Sequence, residues 1–229
     1  MRLGARTRTR AARQRLADLP FRLRVRRLAA GRPADYRRYL EGQLRRTLSK
    51  RENDPGVGAR LLIGSLAAAC TPAEASVLCV GCRNGVELDE FRARGFRDVM
   101  GIDLFSQRDD IQVMDMHDMS FPDDSFDVVY SSHSLEHAYD VPTVVGELVR
   151  VGRGGGLAAV EVPVRHQADP ADRVTFTSLA DLRGAVEPYV SDELLAEEQP
   201  ARSRANDQGS DIARLIFRIR KGPDTMLAR

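Results

Sequence analysis

Hydrophobic and polar residues follow two different patterns along the chain, and the pattern changes near residue 72. In 34–50, apolar residues recur every three or four positions with arginines between them, which predicts an amphipathic helix beginning near Pro33. The recurring positions are Tyr36, Leu40, Gln43, Leu44 and Leu48. A turn signal at 53–56 precedes a second predicted helix over 57–70.

From residue 76 onward, short apolar runs alternate with helical stretches. Strands are predicted at 76–80, 98–102, 110–114, 126–131 and 157–162, and helices at 84–94 and 141–151. This alternation predicts βαβ units and a mostly parallel sheet covered on both faces. A helix at 182–190 and strands at 193–197 and 212–220 follow, and the last strand alternates like an edge or antiparallel strand.

The amino-terminal segment differs in charge from everything that follows. Residues 1–51 hold 17 basic and 3 acidic side chains, a net charge of +14, whereas 52–229 carry −12. The segment 1–31 is only weakly periodic and is interrupted by Pro20, so we expect a poorly ordered or conditionally helical arm. We therefore divide the chain into an Arg-rich front end, 1–52, and a folded domain, 53–229.

Composition excludes several classes of protein. A hydrophobic content of 42% in 229 residues supports a real core and argues against wholesale disorder. The apolar runs fall well short of the roughly 20 residues that a spanning helix needs. No secretory signal is visible, although an Arg-rich start also imitates an organellar transit peptide. The odd, sparse set of Cys70, Cys79 and Cys82 is typical of a reducing compartment, so we expect a cytoplasmic protein.

The turn after the first predicted strand has the composition of a ligand-binding loop. Residues 76–80 run directly into Gly81-Cys82-Arg83-Asn84-Gly85. At the carboxyl end of a parallel strand, glycines let the backbone approach a ligand closely. Arg83 stands where the middle glycine of G-x-G-x-x-G would fall, so a pyrophosphate cradle is not predicted.

Acidic residues end the next two predicted strands. Asp103 lies 22 residues after Gly81, where a carboxylate can accept hydrogen bonds from a ribose diol. Asp115 follows the third strand, where a carboxylate can take an adenine amino group while Met116 and other apolar groups cover the ring. The segment 121–130 then leads through the fourth strand to Leu135-Glu136-His137.

In order and spacing, these elements resemble the class I S-adenosylmethionine-dependent methyltransferases over residues 75–163. The resemblance is to the small-molecule type, in the branch that is similar to the enzymes of ubiquinone and menaquinone biosynthesis. It implies a Rossmann-like, doubly wound, seven-stranded and mostly parallel α/β sheet whose last strand is inserted antiparallel, with an N-terminal helical extension. It also implies S-adenosyl-L-methionine as cofactor and methyl transfer to oxygen, nitrogen or carbon of a small molecule.

Carried over by position, the resemblance assigns a role to each part of the cofactor site. Gly81, Cys82 and Gly85 would surround the methionine part, Asp103 the ribose hydroxyls and Asp115 the adenine amino group. Leu104 and Met116 would cover the adenine faces. The predicted cofactor-binding set is completed by Arg83, His117 and Ser132. The family often has an acidic residue at Cys79 and glycine at Arg83, so Glu87 or Arg83 would have to supply the contacts to the amino and carboxylate groups.

Two histidines after the fourth strand are the candidates for catalysis. His133 lies where the resemblance implies that the transferred methyl group meets its acceptor, and an imidazole can remove a proton near neutral pH. His137 is typical of the family at its position. A hydrogen-bonded loop histidine is the alternative for both. The run 133–137 also spells the H-x-x-E-H motif of zinc peptidases, but it lies inside the methyltransferase pattern, and we expect no metal.

The Arg-rich front end leaves several functions open. Its arginines could bind nucleic-acid phosphates, an anionic membrane surface or the chain's own acidic domain. The alternative without a binding function is a solvated tail. Relatives often place N-terminal helices over the active site, which makes Tyr36, Tyr39, Arg37 and Gln43 candidates for substrate contact, with packing favoured for the tyrosines. RNA or protein substrates docked by the arm, and a non-catalytic module with a degenerate cofactor turn, are the competing functions. The sequence does not determine the oligomeric state.

Overall fold

Seven strands form a single sheet in the order β3-β2-β1-β4-β5-β7-β6. The computed structural model describes residues 18–50, 56–166, 172–207 and 209–222, so most of the predicted Arg-rich arm lies outside the described residues. The strands are β1 (Ser76–Val80), β2 (Asp98–Asp103), β3 (Ile111–Val113), β4 (Phe126–Ser132), β5 (Gly152–Val164), β6 (Val190–Gln199) and β7 (Asp211–Ile219).

The helices of the described ranges lie before and between these strands. They are α1 (Leu19–Leu28), α2 (Ala34–Ser49), α3 (Gly56–Ala69), α4 (Val86–Ala93), α5 (Val141–Val151) and α6 (Leu179–Val186), with single 3-10 turns at Leu135–His137 and Glu187–Tyr189. The helices predicted at 34–50, 57–70, 84–94 and 141–151 correspond to α2 to α5. None of the helices in these ranges is both long and apolar enough to cross a bilayer.

Strand direction confirms the predicted fold class. Strands β1 to β5 pair in parallel, and β7 is inserted antiparallel between β5 and β6. All five residues of β1 are buried, as expected for a central strand with helices on both faces. One face of the sheet packs against α5 and α6, and the other packs against α3 and α4. The chain is therefore a doubly wound, mostly parallel α/β fold.

Two predicted boundaries differ near the carboxyl end. The helix predicted to reach residue 190 ends at Val186, and Val190 begins β6 instead. Pro188 lies between them in a 3-10 turn, and a proline has no N–H to continue an α-helix. Strand β5 begins at Gly152, five residues before the predicted start at Leu157, because Gly152 pairs with Phe126 of β4 ahead of an irregularity in the register.

The amino-terminal helices form a third apolar cluster beside the sheet. The last part of the predicted arm, which we expected to be poorly ordered or conditionally helical, forms the helix α1. Pro20 does not interrupt this helix, because it lies in the first turn, where a missing N–H breaks no helical hydrogen bond. Val25 of α1 and Leu40 of α2 are buried together with Phe105, which follows β2. Helices α1 and α2 are therefore anchored on the domain.

A buried ion pair joins β5 to β7. Glu161 and Arg214 lie directly opposite each other in the register, and both side chains are 1% exposed. Arg214 Nε donates to Glu161 Oε2 over 2.5 Å, and the other two guanidinium nitrogens donate to Glu197 and to the carbonyl of Ala205. Gly58 of α3 leaves room for the pair, since a Cβ there would lie 2.3 Å from Arg214 Nη2.

We expect Gly58→Ala to destabilise the fold although alanine favours helices. The added methyl group would displace a buried guanidinium that three acceptors hold in place, and overpacking of this kind costs about 1 to 3 kcal/mol. Gly146→Ala in α5 is the matched control, because no atom lies within 4 Å of the added Cβ. Gly146→Ala should raise the free energy of unfolding by about 0.5 to 1 kcal/mol, because alanine favours the helix. Urea denaturation followed by circular dichroism measures both, and equal shifts of the two variants would contradict the packing account.

Candidate active site

A cavity opens at the carboxyl ends of β1 to β4, beneath α2. Ligands of open α/β sheets bind at this edge. Helix α2 contributes Tyr39, Leu40, Gln43, Arg46 and Thr47 to the lining. The sheet side contributes Gly81, Arg83, Ile102, Asp103, Leu104, Met114, Asp115, Met116, His133, Ser134 and His137.

The turn after β1 requires glycine at its first position. Gly81 has a φ of +80°, and a Cβ built there would lie only 1.9 Å from the hydroxyl oxygen of Ser134. The loop after β4 therefore packs directly on the backbone of the turn. Arg83 also adopts a left-handed conformation, with a φ of +45°, which glycine, the residue that the resemblance implies at this position, adopts at lower cost. Its side chain donates to the carbonyl of Lys50 and ties the turn to the end of α2.

Asp103 is held at the end of β2 by backbone amides. Its Oδ2 accepts a hydrogen bond from the amide of Arg83 at 2.9 Å, and its Oδ1 accepts one from the amide of Phe105 at 3.2 Å. Burial raises the pKa of this carboxyl group, and the two amide donors oppose that shift. A carboxylate has about four acceptor positions, so Asp103 keeps capacity for donors from a ligand in the cavity.

Asp115 connects the sheet to α2. Its Oδ2 accepts a hydrogen bond from the Tyr36 hydroxyl at 2.6 Å, and its Oδ1 accepts from the backbone N–H and from Nδ1 of His117. Burial alone would raise the pKa of Asp115, but the hydrogen bonds from His117 and Tyr36 outweigh it and lower the pKa. Because His117 Nε2 accepts from the amide of Tyr139, Nδ1 of that ring carries the proton.

His133 lies between two carboxylates at the end of β4. Its Nε2 is 3.4 Å from Oε1 of Glu161, and its Nδ1 is 3.7 Å from Oε1 of Glu136. Burial favours the neutral ring, but the carboxylates of Glu136 and Glu161 outweigh it and raise the pKa of His133. A φ of +50° and a hydrogen bond from its amide to the carbonyl of Glu161 fix the backbone here.

The carboxylate and imidazole groups continue beyond His133 as a chain. Oε1 of Glu136 lies 3.6 Å from Nε2 of His137, and Nδ1 of His137 lies 2.9 Å from Oδ1 of Asp172. The other oxygen of Asp172 lies 3.0 Å from Nε2 of His166. Three of the four histidines of the sequence therefore belong to one largely buried network that begins at the cavity.

Arg46 places a positive charge in the cavity wall. Its Nε is buried and has no hydrogen-bond acceptor in the part of the chain that the structure describes. Gln43 lines the same wall, as does Tyr39. The other substrate-contact candidates lie elsewhere: Tyr36 binds Asp115, and Arg37 is exposed and donates to the carbonyl of Arg32.

The cavity brings together most of the predicted site residues. Those on its wall are Gly81, Arg83, Asp103, Leu104, Asp115, Met116, His133 and His137. Four others lie behind the wall. Cys82 is buried against Gly101, Gly85 faces Arg108, His117 supports Asp115, and Ser132 donates to Glu161.

The H-x-x-E-H motif does not form the helical face of a zinc site. Leu135–His137 is one 3-10 turn, and His133 precedes it in a left-handed conformation. Across the described ranges, no group of three or more Cys, His, Asp or Glu side chains is arranged to hold a metal ion. The two cysteines of the C-x-x-C spacing are buried, and burial raises the pKa of both thiols.

Sequence reasoning did not identify Glu161, Arg214 or Arg46. Glu161 carries a charge inside the otherwise apolar predicted strand 157–162, and Arg214 carries one inside the apolar first part, 212–217, of the predicted strand 212–220. A charge inside such a run predicts a buried, paired group, since an unpaired buried charge is costly. That signal was present in the sequence. Arg46 has no comparable signal, because it is one of many arginines in the front end.

Comparison with known proteins finds a family model that matches the central part of the chain. Residues 78–160 match the model of a methyltransferase domain. These residues include the turn after β1, Asp103, Asp115 and His133. The matched part of the chain is therefore a methyltransferase domain, and its fold is that of the class I S-adenosylmethionine-dependent methyltransferases.

Relatives of this methyltransferase domain match over part of their length. A probable S-adenosylmethionine-dependent methyltransferase of Mycobacterium tuberculosis is 31% identical over 143 residues, which is 58% of this chain and 47% of that protein. The chain therefore spans about half the length of this curated relative. The chloroplastic tocopherol O-methyltransferase of Arabidopsis thaliana is 36% identical over 72 residues, which is 31% of this chain and 21% of that protein.

A solved structure with the same fold covers more of the chain. The 1,6-didemethyltoxoflavin-N1-methyltransferase of Burkholderia thailandensis aligns with 82% of this chain and 91% of its own, with a TM-score of 0.66 and 18% identity. That enzyme was crystallised with 1,6-didemethyltoxoflavin and S-adenosylhomocysteine. At this identity the likeness establishes the fold of the methyltransferase domain.

The hydrogen bond from Tyr36 to Asp115 should hold α2 on the methyltransferase domain. We expect Tyr36→Phe to cost about 1.5 to 3 kcal/mol, because the lost hydrogen bond has an ionised acceptor. Amide hydrogen exchange along α2 should become faster. The control is Tyr189→Phe, at a half-buried tyrosine remote from this cavity. Unchanged exchange in α2 of the Tyr36→Phe protein would contradict the role of this hydrogen bond.

The protonation of His133 should depend on Glu136. In the native protein we expect a pKa above the ordinary 6.5, because two carboxylates stabilise the imidazolium ion. Glu136→Gln removes one of these charges, so the pKa should fall, and the ring should become neutral at lower pH. A nuclear magnetic resonance titration of the imidazole signals measures this directly, with the exposed Glu74→Gln as control. An unchanged His133 titration in Glu136→Gln would show that this carboxylate does not control the ring.

Proposed function

We propose that the protein transfers a methyl group from S-adenosylmethionine to oxygen, nitrogen or carbon of a small-molecule acceptor. The observation that carries the proposal is that most of the predicted cofactor residues, which follow three strands, line one cavity together with His133 under α2. When bound, the cofactor supplies an electrophilic methyl group on a sulfonium sulfur. Transfer of that group depends mainly on the positioning of two reactants.

The cavity residues fit this cofactor. Gly81 and Arg83 of the turn after β1 line the cavity, and Asp103 and Asp115 offer buried carboxylate oxygens along the same wall. We assign Asp103 to the ribose hydroxyls, Asp115 to the adenine amino group, and Leu104 and Met116 to the ring faces. The buried, unbonded Nε of Arg46 would suit a carboxylate, which both the cofactor and an acceptor can carry.

His133 would serve an acceptor that loses a proton. A neutral His133 ring can take that proton, and the imidazolium ion that forms lies between Glu136 and Glu161. Glu161 is itself fixed by Arg214 and by the Ser132 hydroxyl, so the ring has a defined electrostatic environment. His137 lies on the far side of Glu136 and would help to position the loop.

The position of α2 over the cavity favours a small acceptor over RNA or protein. Helix α2 forms its wall, and the buried rings of Tyr36 and Tyr39 pack against each other beside it. The names of one relative and of one structural neighbour give tocopherol and 1,6-didemethyltoxoflavin as their acceptors, and both are small molecules. The non-catalytic alternative supposes a degenerate cofactor turn. In this turn Ser134 still packs closely on Gly81, and the amide of Arg83 still donates a hydrogen bond to Asp103.

Calorimetry with S-adenosylmethionine and S-adenosylhomocysteine tests the cofactor site. We expect Asp103→Asn to weaken binding by about 1 to 3 kcal/mol, or roughly 5-fold to 150-fold, because a buried acceptor for the ribose is lost. Asp98→Asn is the control, since Asp98 is exposed at the opposite end of the same strand. Absence of heat and of any thermal shift with either ligand would overturn the proposal.

A labelling experiment tests the acceptor class. The protein is incubated with cofactor carrying a labelled methyl group and with a cell extract, which is then separated into small molecules, RNA and protein. Label in the small-molecule fraction is the expected result. Label confined to RNA or protein would replace the small acceptor with the macromolecular alternative.

A further inference from the structure

Helix α1 presents two leucines to solvent although its opposite side is firmly packed. Leu19 is 47% exposed and Leu23 is 46% exposed. Val25 on the inner side is 1% exposed, and the ring of Phe21 lies 4.7 Å from that of Phe105. Because Leu19 and Leu23 are four residues apart, they lie one above the other on the outer side of the helix.

Arginines surround these leucines. They lie along both edges of the exposed side of α1: Arg22 and Arg26 on the edge that faces α2, and Arg24 and Arg27 on the edge that faces β3. All four are exposed, and α1 contains no acidic residue. Within the described ranges, none of the four guanidinium groups pairs with a carboxylate. The outer side of α1 is therefore both cationic and apolar.

We propose that α1 docks the protein on the surface of an anionic lipid bilayer through this outer side. Basic amphipathic helices with exposed leucines lie in the interface plane of membranes, where the apolar side chains enter the boundary of the headgroups and the cations face anionic lipids. The docked protein would need no spanning helix.

Other occupants explain less of this surface. A nucleic acid would use the arginines but would leave Leu19 and Leu23 in water, and the outer side of α1 has no aromatic residue for base stacking. A second copy of α1 would bring two sets of four like charges together. An anionic bilayer accounts for both the charge and the exposed apolar area.

The position of α1 gives this docking a consequence for the cavity. Helix α1 packs against α2, and residues of α2 form one wall of the cavity. A bilayer at the outer side of α1 would therefore lie one helix away from the site. An acceptor that partitions into the bilayer would be concentrated close to it. The docking itself does not depend on methyl transfer.

Co-sedimentation of the full chain with lipid vesicles tests the proposal. We expect the protein to sediment with vesicles that contain phosphatidylglycerol and to remain in solution with phosphatidylcholine alone. High salt should weaken the binding, since exposed charges are screened. Arg26→Gln combined with Arg27→Gln should weaken it by about tenfold or more. Arg97→Gln, at an exposed arginine outside α1, is the charge control.

The leucines provide the decisive comparison. Leu19→Ser combined with Leu23→Ser should also reduce binding severalfold, although it leaves every charge unchanged. The matched control is Leu61→Ser combined with Leu194→Ser, because these leucines are 45% and 37% exposed and lie outside α1. Circular dichroism and thermal denaturation verify that each variant is folded.

Three results would overturn the proposal. The first is absence of binding to the anionic vesicles. The second is vesicle binding that the Leu19 and Leu23 substitutions leave unchanged, which would indicate a general affinity for polyanions. The third is binding of an RNA oligomer without binding of vesicles. If that RNA binding requires Arg26 and Arg27, the surface would be assigned to nucleic acid. Because no result depends on turnover, failure here leaves the proposed function to its own test.

Discussion

The ion pair between Glu161 and Arg214 connects the sheet, the helix above it and the imidazole at the cavity. It crosses from β5 to β7, and Gly58 of α3 leaves the space that the guanidinium fills. Because one oxygen of Glu161 is neutralised by Arg214, the other is fixed toward Ser132 and His133. Removing one partner of a buried pair typically costs about 3 to 5 kcal/mol, so packing and site chemistry are coupled here.

A second buried carboxylate, Asp115, has two roles: it accepts the hydrogen bond that holds α2, and it is our proposed partner of the adenine amino group. Three donors from Tyr36 and His117 already occupy Asp115, which leaves about one of its four acceptor positions for a ligand. The same hydrogen bonds lower its pKa and keep it ionised despite burial. The carboxylate that we assign to the adenine also holds α2 in place, so the position of this helix and the occupancy of the cavity are linked through one side chain.

Local pattern was sufficient for the sheet and for most of the cavity wall. Buried parallel strands are continuous apolar runs, and residues that follow them, such as Asp103 and Asp115, meet at one edge whatever the details of packing. Pairing across the inserted strand was not predictable in this way, because Glu161 and Arg214 are 53 residues apart and only the register of β5 with β7 brings them together. The prediction that Pro20 interrupts the segment is wrong, because a proline inside a weakly periodic segment is equally consistent with a helix break and with the first turn of a helix.

The packing of α1 and α2 on the loop after β2 means that the basic front end cannot be separated from the domain by cutting the chain. Phe105 is 2% exposed and packs against Phe21 and its neighbours, and α2 supplies part of the wall around the site. A chain that began at residue 52 would lose positive charge, a hydrophobic cover and the proposed docking surface together. Its behaviour could not be attributed to any one of them, so charge and shape in this region have to be changed one side chain at a time.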